Sequence, residues 1–266
     1  MSKRLLHQPL RSGRAACPRS FGFMAQVLTF DNPQEVARAA ADRFVEIARA
    51  SIDGRGRFSV ALSGGSTPKR AYELLSSSEY RDRLDWSKVH IFFGDERCVP
   101  PDDAESNYRM TNEAMLSHLP IPPGNVHRIQ GVGDAVANAR LYEDELRTFF
   151  NDASWPRFDL IFLGMGDDGH TASLFPGSAA LNEQQAWVAA NWVEKFNAYR
   201  ITLTVPAINH AAHIAFLVTG ENKAERLAEV LNSESSSEQL PSQLIKPVNG
   251  SLEWLIDKPA AARLAH

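Results

Sequence analysis

Cysteine is scarce, with Cys17 and Cys98 the two in 266 residues. A pair is too few for a disulfide framework at this length, so the fold must rest on its core, and a reducing compartment, the cytoplasm, is expected. Long apolar runs are missing too. None approaches the roughly 18 residues a membrane span requires, and no membrane partner is expected. Positive charge is in deficit: a formal net charge of -4 and a pI near 6.1 argue against a nucleic-acid partner. No segment repeats another, and no glycine loop continues into G-K-[ST], which excludes a Walker A nucleotide site.

What is present is core-forming. At 44% hydrophobic residues the chain can bury a sizeable interior, and its length suits one α/β domain. The start stands apart, since residues 1–23 carry Lys3, Arg4, Arg11, Arg14 and Arg19 without one acidic residue. An Arg-rich, acid-free leader reads as a transit peptide or as a disordered or non-native extension, and the lack of an apolar h-region argues against a secretory signal. A single domain is expected over 24–266, because Ala25–Phe30 already reads as a first strand.

One stretch organises the rest: Phe158-Asp-Leu-Ile-Phe-Leu-Gly-Met-Gly-Asp-Asp-Gly-His170-Thr-Ala-Ser-Leu-Phe-Pro176. Leu160–Leu163 is an apolar run suited to a buried parallel strand, and ligands of open α/β sheets lie just past the carboxyl ends of such strands. Gly164, Gly166 and Gly169 give the backbone access to positive φ and let it approach a ligand closely. The same letters spell G-x-G-x-x-G. A dinucleotide site would need a long helix after the third glycine, whereas Pro176 and Gly177 leave room for about two turns. Pyrophosphate also needs no imidazole, so hydrolytic or isomerase chemistry accounts better for His170.

In chain order, Val36, Ala40, Phe44, Ile47 and Ala48 make a helical stripe over 33–52, capped by Asp31 or Asn32 with Pro33 in the first turn. Phe58–Leu62 is a short strand running into Ser63-Gly-Gly-Ser-Thr-Pro68 and then a helix over 69–75. Strand, glycine-rich loop and helix in succession make an anion site. The N–H groups of Gly64, Gly65 and Ser66, the hydroxyls of Ser63, Ser66 and Thr67, and the helix dipole all favour a phosphate. The plainer alternative is that Ser66 or Thr67 only caps the helix. Val89–Phe93, a second buried strand, ends in Gly94-Asp-Glu-Arg97, which again puts ionisable groups at a strand's carboxyl end before Val99-Pro-Pro101 stops it. Cys98 reads as a small buried hydrophobe. Further helices are expected over 106–116, 135–150 and 221–231, the last with Lys223 in its first turn. Strands are expected over 126–129, 186–190, 199–205 and 213–219, and Ser233–Ser237 is a polar loop. Strands alternating with helices define the fold class as α/β, a doubly wound, mostly parallel sheet with helices on both faces.

Three pieces in this order, Ser63–Pro68, Gly94–Pro100 with Ser106–Met110, and Gly164–Pro176, resemble the 6-phosphogluconolactonases of the pentose phosphate pathway. The likeness spans nearly all of 24–257. It implies the fold shared with glucosamine-6-phosphate deaminases, metal-independent hydrolysis of 6-phosphogluconolactone to 6-phosphogluconate, no cofactor, and a small sugar-phosphate lactone as partner. A monomer or small homo-oligomer is expected. Carried over by position, the resemblance makes His170 the general base on water and Asp168 the group that orients and stabilises it. The chemistry agrees, because an imidazole titrates near neutrality and a neighbouring carboxylate fixes its tautomer. Arg97 or the N–H groups near Gly169 are the oxyanion donors, and Asp95 and Glu96 hold Arg97 or the sugar hydroxyls. The phosphate lies on Ser63, Gly64, Gly65, Ser66 and Thr67, with Arg200 and Lys223 as its cations. A lysine at a helix start otherwise meets the wrong end of the dipole; the plain alternative is a solvated side chain.

Two rivals are testable. In the deaminase-isomerases a further glutamate for ring opening follows the histidine, at the position of Phe175 here, and that departure favours lactone hydrolysis. A catalytically dead sugar-phosphate-binding regulator would have no need of both His170 and Asp168. A metal set drawn from Asp95, Glu96, Asp168 and His170 has one histidine and no paired spacing, a poor zinc site.

Overall fold

The computed structural model describes residues 25–232 and 239–264; the leader over 1–23 and the loop Ser233–Ser237 lie outside them. In order the elements are β1 (Gln26–Phe30), α1 (Pro33–Arg55), β2 (Phe58–Leu62), α2 (Ser66–Ser76), β3 (Val89–Phe93), β4 (Asp95–Arg97), α3 (Asn107–Ala114) and α4 (Ala135–Phe149). They continue with β5 (Leu160–Leu163), β6 (Val188–Val193), β7 (Ala198–Leu203), α5 (Val205–Asn209), β8 (His213–Val218), α6 (Ala224–Asn232), β9 (Ser251–Asp257) and α7 (Lys258–Ala261).

Helix α1 shows how local chemistry sets the frame. The Asn32 side chain accepts from the N–H groups of Gln34 and Glu35, and Gly56 at φ +76 closes the far end with its N–H on the Ile52 carbonyl, so each end has part of its unpaired backbone groups satisfied. Its stripe buries Val36, Ala40, Phe44 and Ala48 completely. Phe44 meets Phe58 of β2 edge-on at 5.1 Å and Phe162 of β5 at 6.3 Å. Each such side chain stabilises the fold by about 1.5–3 kcal/mol through burial.

Six strands form one all-parallel sheet in the order β1-β9-β8-β5-β2-β3, so every carboxyl end lies at one edge. From β2 the chain steps outward to β3 and then returns to β5 on the other side of β2. The two rightward crossovers, right-handed as such connections are, put α1 and α2 on one face, in keeping with the extensive contact between α1 and α2. Between β2 and β5 the loops diverge, which makes their carboxyl ends the switch point where such sheets bind ligands.

A second sheet, β4-β7-β6, is antiparallel and was not anticipated. β4 is three charged residues with no apolar pattern, and it is placed by pairing with β7 rather than by its own composition. β9 was also missed, because Glu253 interrupts its apolar run; that carboxylate is matched by Arg43 Nε at 2.9 Å. The strand expected over 126–129 is one rung only, His127 N–H donating to the Ile91 carbonyl at 2.8 Å. The chain then leaves the sheet toward Gly131, where a Cβ would meet the Val99 carbonyl at 2.3 Å. Among the described residues no helix is long and apolar enough to cross a membrane.

Candidate active site

At the switch point a cleft of about 450 Å³ opens. Its first wall is the turn between β2 and α2. Tyr72, fully buried, pins that turn from behind: its hydroxyl donates to the Ser63 carbonyl at 2.9 Å and accepts from the Ser63 N–H at 3.1 Å. Burial pushes this phenol far above its ordinary range, so it stays a neutral clamp. Gly65, at φ +107, is the helix N-cap, with no side chain filling the capping position. Helix α2 thus starts three residues earlier than the pattern suggested. Ser66 and Thr67 sit in its first turn rather than capping it, so their hydroxyls are not spent on the helix end. Thr67 Oγ1 lies 2.7 Å from Thr219 Oγ1 at the end of β8. Ser63 Oγ is buried, has no partner among the described residues and belongs to a residue that lines the cleft. Gly64 cannot carry a side chain, since a Cβ would lie 1.9 Å from Asn107 Oδ1.

The second wall is the loop after β5. Gly166 N–H donates to the His170 carbonyl at 2.9 Å and Gly169 N–H to the Gly166 carbonyl at 3.1 Å, so the segment folds back on itself. Of its three glycines, Gly169 alone takes positive φ, at +78. Its carbonyl is fixed by the Ser242 N–H and hydroxyl at 3.0 and 2.9 Å. Gly166 is required for space instead, because a Cβ there would lie 2.0 Å from His170 Nδ1. Gly164 shows neither constraint, which corrects the reading of all three as positive-φ positions. No helix follows His170 either. Thr171 Oγ1 donates to the Gly164 carbonyl at 2.9 Å, Ser173 Oγ to Asp95 Oδ2 at 2.6 Å, and Asn191 Nδ2 to the Ser173 carbonyl at 2.8 Å. Those ties hold a tight turn with Ala172 at φ +47.

His170 Nδ1 lies 2.5 Å from Asp168 Oδ1. An ionised carboxylate only accepts, so Nδ1 carries a proton, and in the neutral ring it is Nε2 that holds the lone pair. Burial alone would raise the Asp168 carboxyl, but the hydrogen bonds and charge of His170, with Lys195 at 3.6 Å, outweigh it and hold the group below its ordinary range. The imidazole stacks on Phe175 at 4.2 Å.

The remaining expected residues divide. Asp95 and Arg97 line the cleft, Asp95 buried and held by Ser173 and by Asn107 Nδ2 at 3.3 Å. Glu96 grips neither Arg97's guanidinium nor open space. It accepts from the N–H groups of Arg97, Asn107 and Tyr108, each at 2.8 Å, and from Ser106 Oγ at 3.0 Å, and so anchors the start of α3. Arg97 donates through a guanidinium nitrogen to the Glu105 carbonyl. Arg200 sits opposite Arg97 across the β4–β7 pair, over the Phe196 ring at 5.1 Å, and is not in the cleft lining. Burial and the neighbouring Arg97 charge push its guanidinium down from its ordinary value. Lys223 does line the cleft, delivered by a turn that begins at Gly220, φ +100. The buried Asp257 carboxylate accepts the Gly220 N–H at 3.0 Å. Asn107, Thr219 and Asn222 also face the cleft and were not singled out, although Asn107 lies inside one of the quoted motifs and Thr219 at an expected strand end. Among the described residues no three His, Cys, Asp or Glu side chains gather so as to hold a metal ion.

The fold and the site define a class: an α/β enzyme whose switch-point cleft combines a glycine-rich turn at a helix start with an imidazole hydrogen-bonded to a carboxylate. Residues 31–254 match the model of the family described as glucosamine-6-phosphate isomerases/6-phosphogluconolactonase, and the chain belongs to that family. It is 39% identical over 249 residues to "Probable 6-phosphogluconolactonase 3, chloroplastic" of Oryza sativa subsp. indica, covering 90% of this chain and 76% of that one. With the 6-phosphogluconolactonase of Synechocystis it shares 42% over 217 residues, covering 80% and 88%. The solved 6-phosphogluconolactonase of Trypanosoma cruzi superposes with a TM-score of 0.83 at 33% identity, covering 93% of this chain and all (100%) of that one.

Proposed function

We propose that the chain hydrolyses 6-phospho-D-glucono-1,5-lactone to 6-phospho-D-gluconate in the oxidative pentose phosphate pathway. The observation that carries the reading is His170, paired with Asp168 at 2.5 Å and lining the same cleft as the Ser63–Thr67 turn, in a chain whose relatives bear that enzyme's name. The phosphate takes the open N–H and hydroxyl groups of the turn, with Lys223 as its cation. His170 Nε2 removes a proton from water, which attacks the lactone carbonyl. The imidazolium, stabilised by Asp168, then returns the proton to the departing ring oxygen. Arg97 is the better oxyanion donor, because the Gly169 and His170 N–H groups already serve the Gly166 carbonyl and Asp168 Oδ1. Asp95 positions the turn through Ser173 and Asn107, and Arg200 acts from behind Arg97. Phe175, where a deaminase has its ring-opening glutamate, offers no carboxylate.

The deciding experiment is a coupled assay with freshly generated lactone, corrected for spontaneous hydrolysis. A rate no greater than background would end the reading, while release of ammonia from glucosamine 6-phosphate would support the sister activity. If Lys223 grips the phosphate in ground and transition states alike, Lys223→Ala raises KM by the equivalent of about 1.5–3 kcal/mol, the worth of a charge-assisted contact. A lactone lacking phosphate should then be turned over almost as before, and equal losses on both substrates would place the lysine elsewhere.

Residues from 24 onward act as one domain in this proposal, in the cytoplasm, as a monomer or small homo-oligomer. Scarce cysteine and acidic balance support the compartment; cell fractionation tests it. A protein beginning at Met24 should keep the melting temperature and kcat of the full chain, and a large loss in either would give the leader a working part.

A further inference from the structure

The mechanism leaves Asp167 without a part. It lies between Gly166, which makes room for the imidazole, and Asp168, which orients it. Its carboxylate is ion-paired with the Lys223 ammonium, the cation assigned to the phosphate, and Asn222 Nδ2 donates to the same oxygen at 3.3 Å. The hydrogen bond from Lys223 and its charge hold the carboxyl below its ordinary range. The partners differ in setting. Lys223 faces the cleft with 20% of its side chain exposed, while Asp167 stands outside the lining at 70%.

We infer that Asp167 is a resident counter-anion, which occupies Lys223 in the free enzyme and is displaced by the phosphate of the ligand. This rests on the phosphate reading above. An ion pair with one well-exposed partner is weakly held, because water readily replaces the lost contact. A phosphate brings nearly twice the charge and three strong acceptor oxygens. A monovalent carboxylate brings neither advantage, so the exchange favours phosphorylated ligands over plain sugar acids. The main chain need not follow the side chain: Arg226 Nε donates to the Asp167 carbonyl at 3.1 Å, so the loop stays anchored when the carboxylate lets go. Asp167 is thus a specificity-determining residue, acting through Lys223 and not on the reacting atoms.

The test compares the lactone KM and the inhibition constants of inorganic phosphate and gluconate in wild type, Asp167→Asn, Asp167→Glu and Lys223→Met. Asp167→Asn should bind phosphate about fivefold more tightly, the scale of an exposed ion pair. The lactone KM should fall with it, gluconate should begin to inhibit, and the change should fall on KM rather than kcat. Asp167→Glu should resemble wild type. In the Lys223→Met background, Asp167→Asn should change phosphate inhibition less than twofold. Persistence of the full tightening there would show a field effect through space and overturn the proposal, as would no tightening at all. If phosphate fails to inhibit wild type and Lys223→Met leaves KM unchanged, the phosphate reading falls and this inference with it.

Discussion

His170→Asn should lower kcat by roughly a hundred- to ten-thousandfold, the usual worth of a positioned proton transfer. Affinity for 6-phosphogluconate should survive, because the turn proposed to take the phosphate belongs to β2 and α2 and is clamped by Tyr72 from behind. Asp168→Asn should also fail in kcat. Its amide can donate to Nδ1, which would leave the proton on Nε2 and remove the lone pair that takes the proton from water. Residues acting as a unit are not additive, so the double variant should be little worse than His170→Asn alone. Orientation by Asp168 has a definite pH window. Its folded-state value is depressed, so the stability and alignment it contributes are present above the ordinary carboxylate range and fade only as pH falls through the depressed value. Near-normal kcat in His170→Asn would transfer the role of base to another group, and Asp95, buried in the cleft wall, would be tested next.

The parallel sheet was legible because its strands announce themselves. Phe58–Leu62, Val89–Phe93 and Leu160–Leu163 are short apolar runs ending in glycine or serine, and all three form where the pattern put them. What the pattern could not show is structure made by pairing alone. Asp95–Arg97 has no apolar face and becomes a strand only because β7 lies beside it. Charged residues near the site were harder to sort. Arg97 and Arg200 look alike in sequence, yet they face each other across two strands and only one reaches the cleft. Glu96 read as a site group, while its oxygens are used by the start of α3. His170 and Asp168 were singled out through the resemblance, and their contact, between residues two apart on one turn, is local and needs no tertiary information.

Gly166→Ala should be nearly as damaging to catalysis as removal of the His170 imidazole, although it adds a single methyl group. The added Cβ would lie 2.0 Å from His170 Nδ1, 2.1 Å from its Cε1 and 2.8 Å from Asp168 Oδ1, distances no packed structure tolerates. Backbone strain is not the cause, since Gly166 is not among the positive-φ glycines; the imidazole itself has to move. It has little room, because Phe175 lies against its face at 4.2 Å and the chain on either side is tied down by Ser242 and Thr171. We expect kcat within about tenfold of the His170→Asn value and a stability loss of about 1–3 kcal/mol, typical of overpacking. A smaller side chain at 170 removes the two shortest contacts and frees the Asp168 carboxylate to turn away, so Gly166→Ala combined with His170→Ala should recover most of the melting temperature without recovering activity, a coupling read directly from a double-mutant cycle. Gly54→Ala in α1, where nothing lies within 4 Å of the added methyl, is the control: the same substitution should leave kcat alone and stabilise the helix by about 0.5–1 kcal/mol. Wild-type kcat in Gly166→Ala would mean that the His170–Asp168 contact is not the geometry in which the reaction runs.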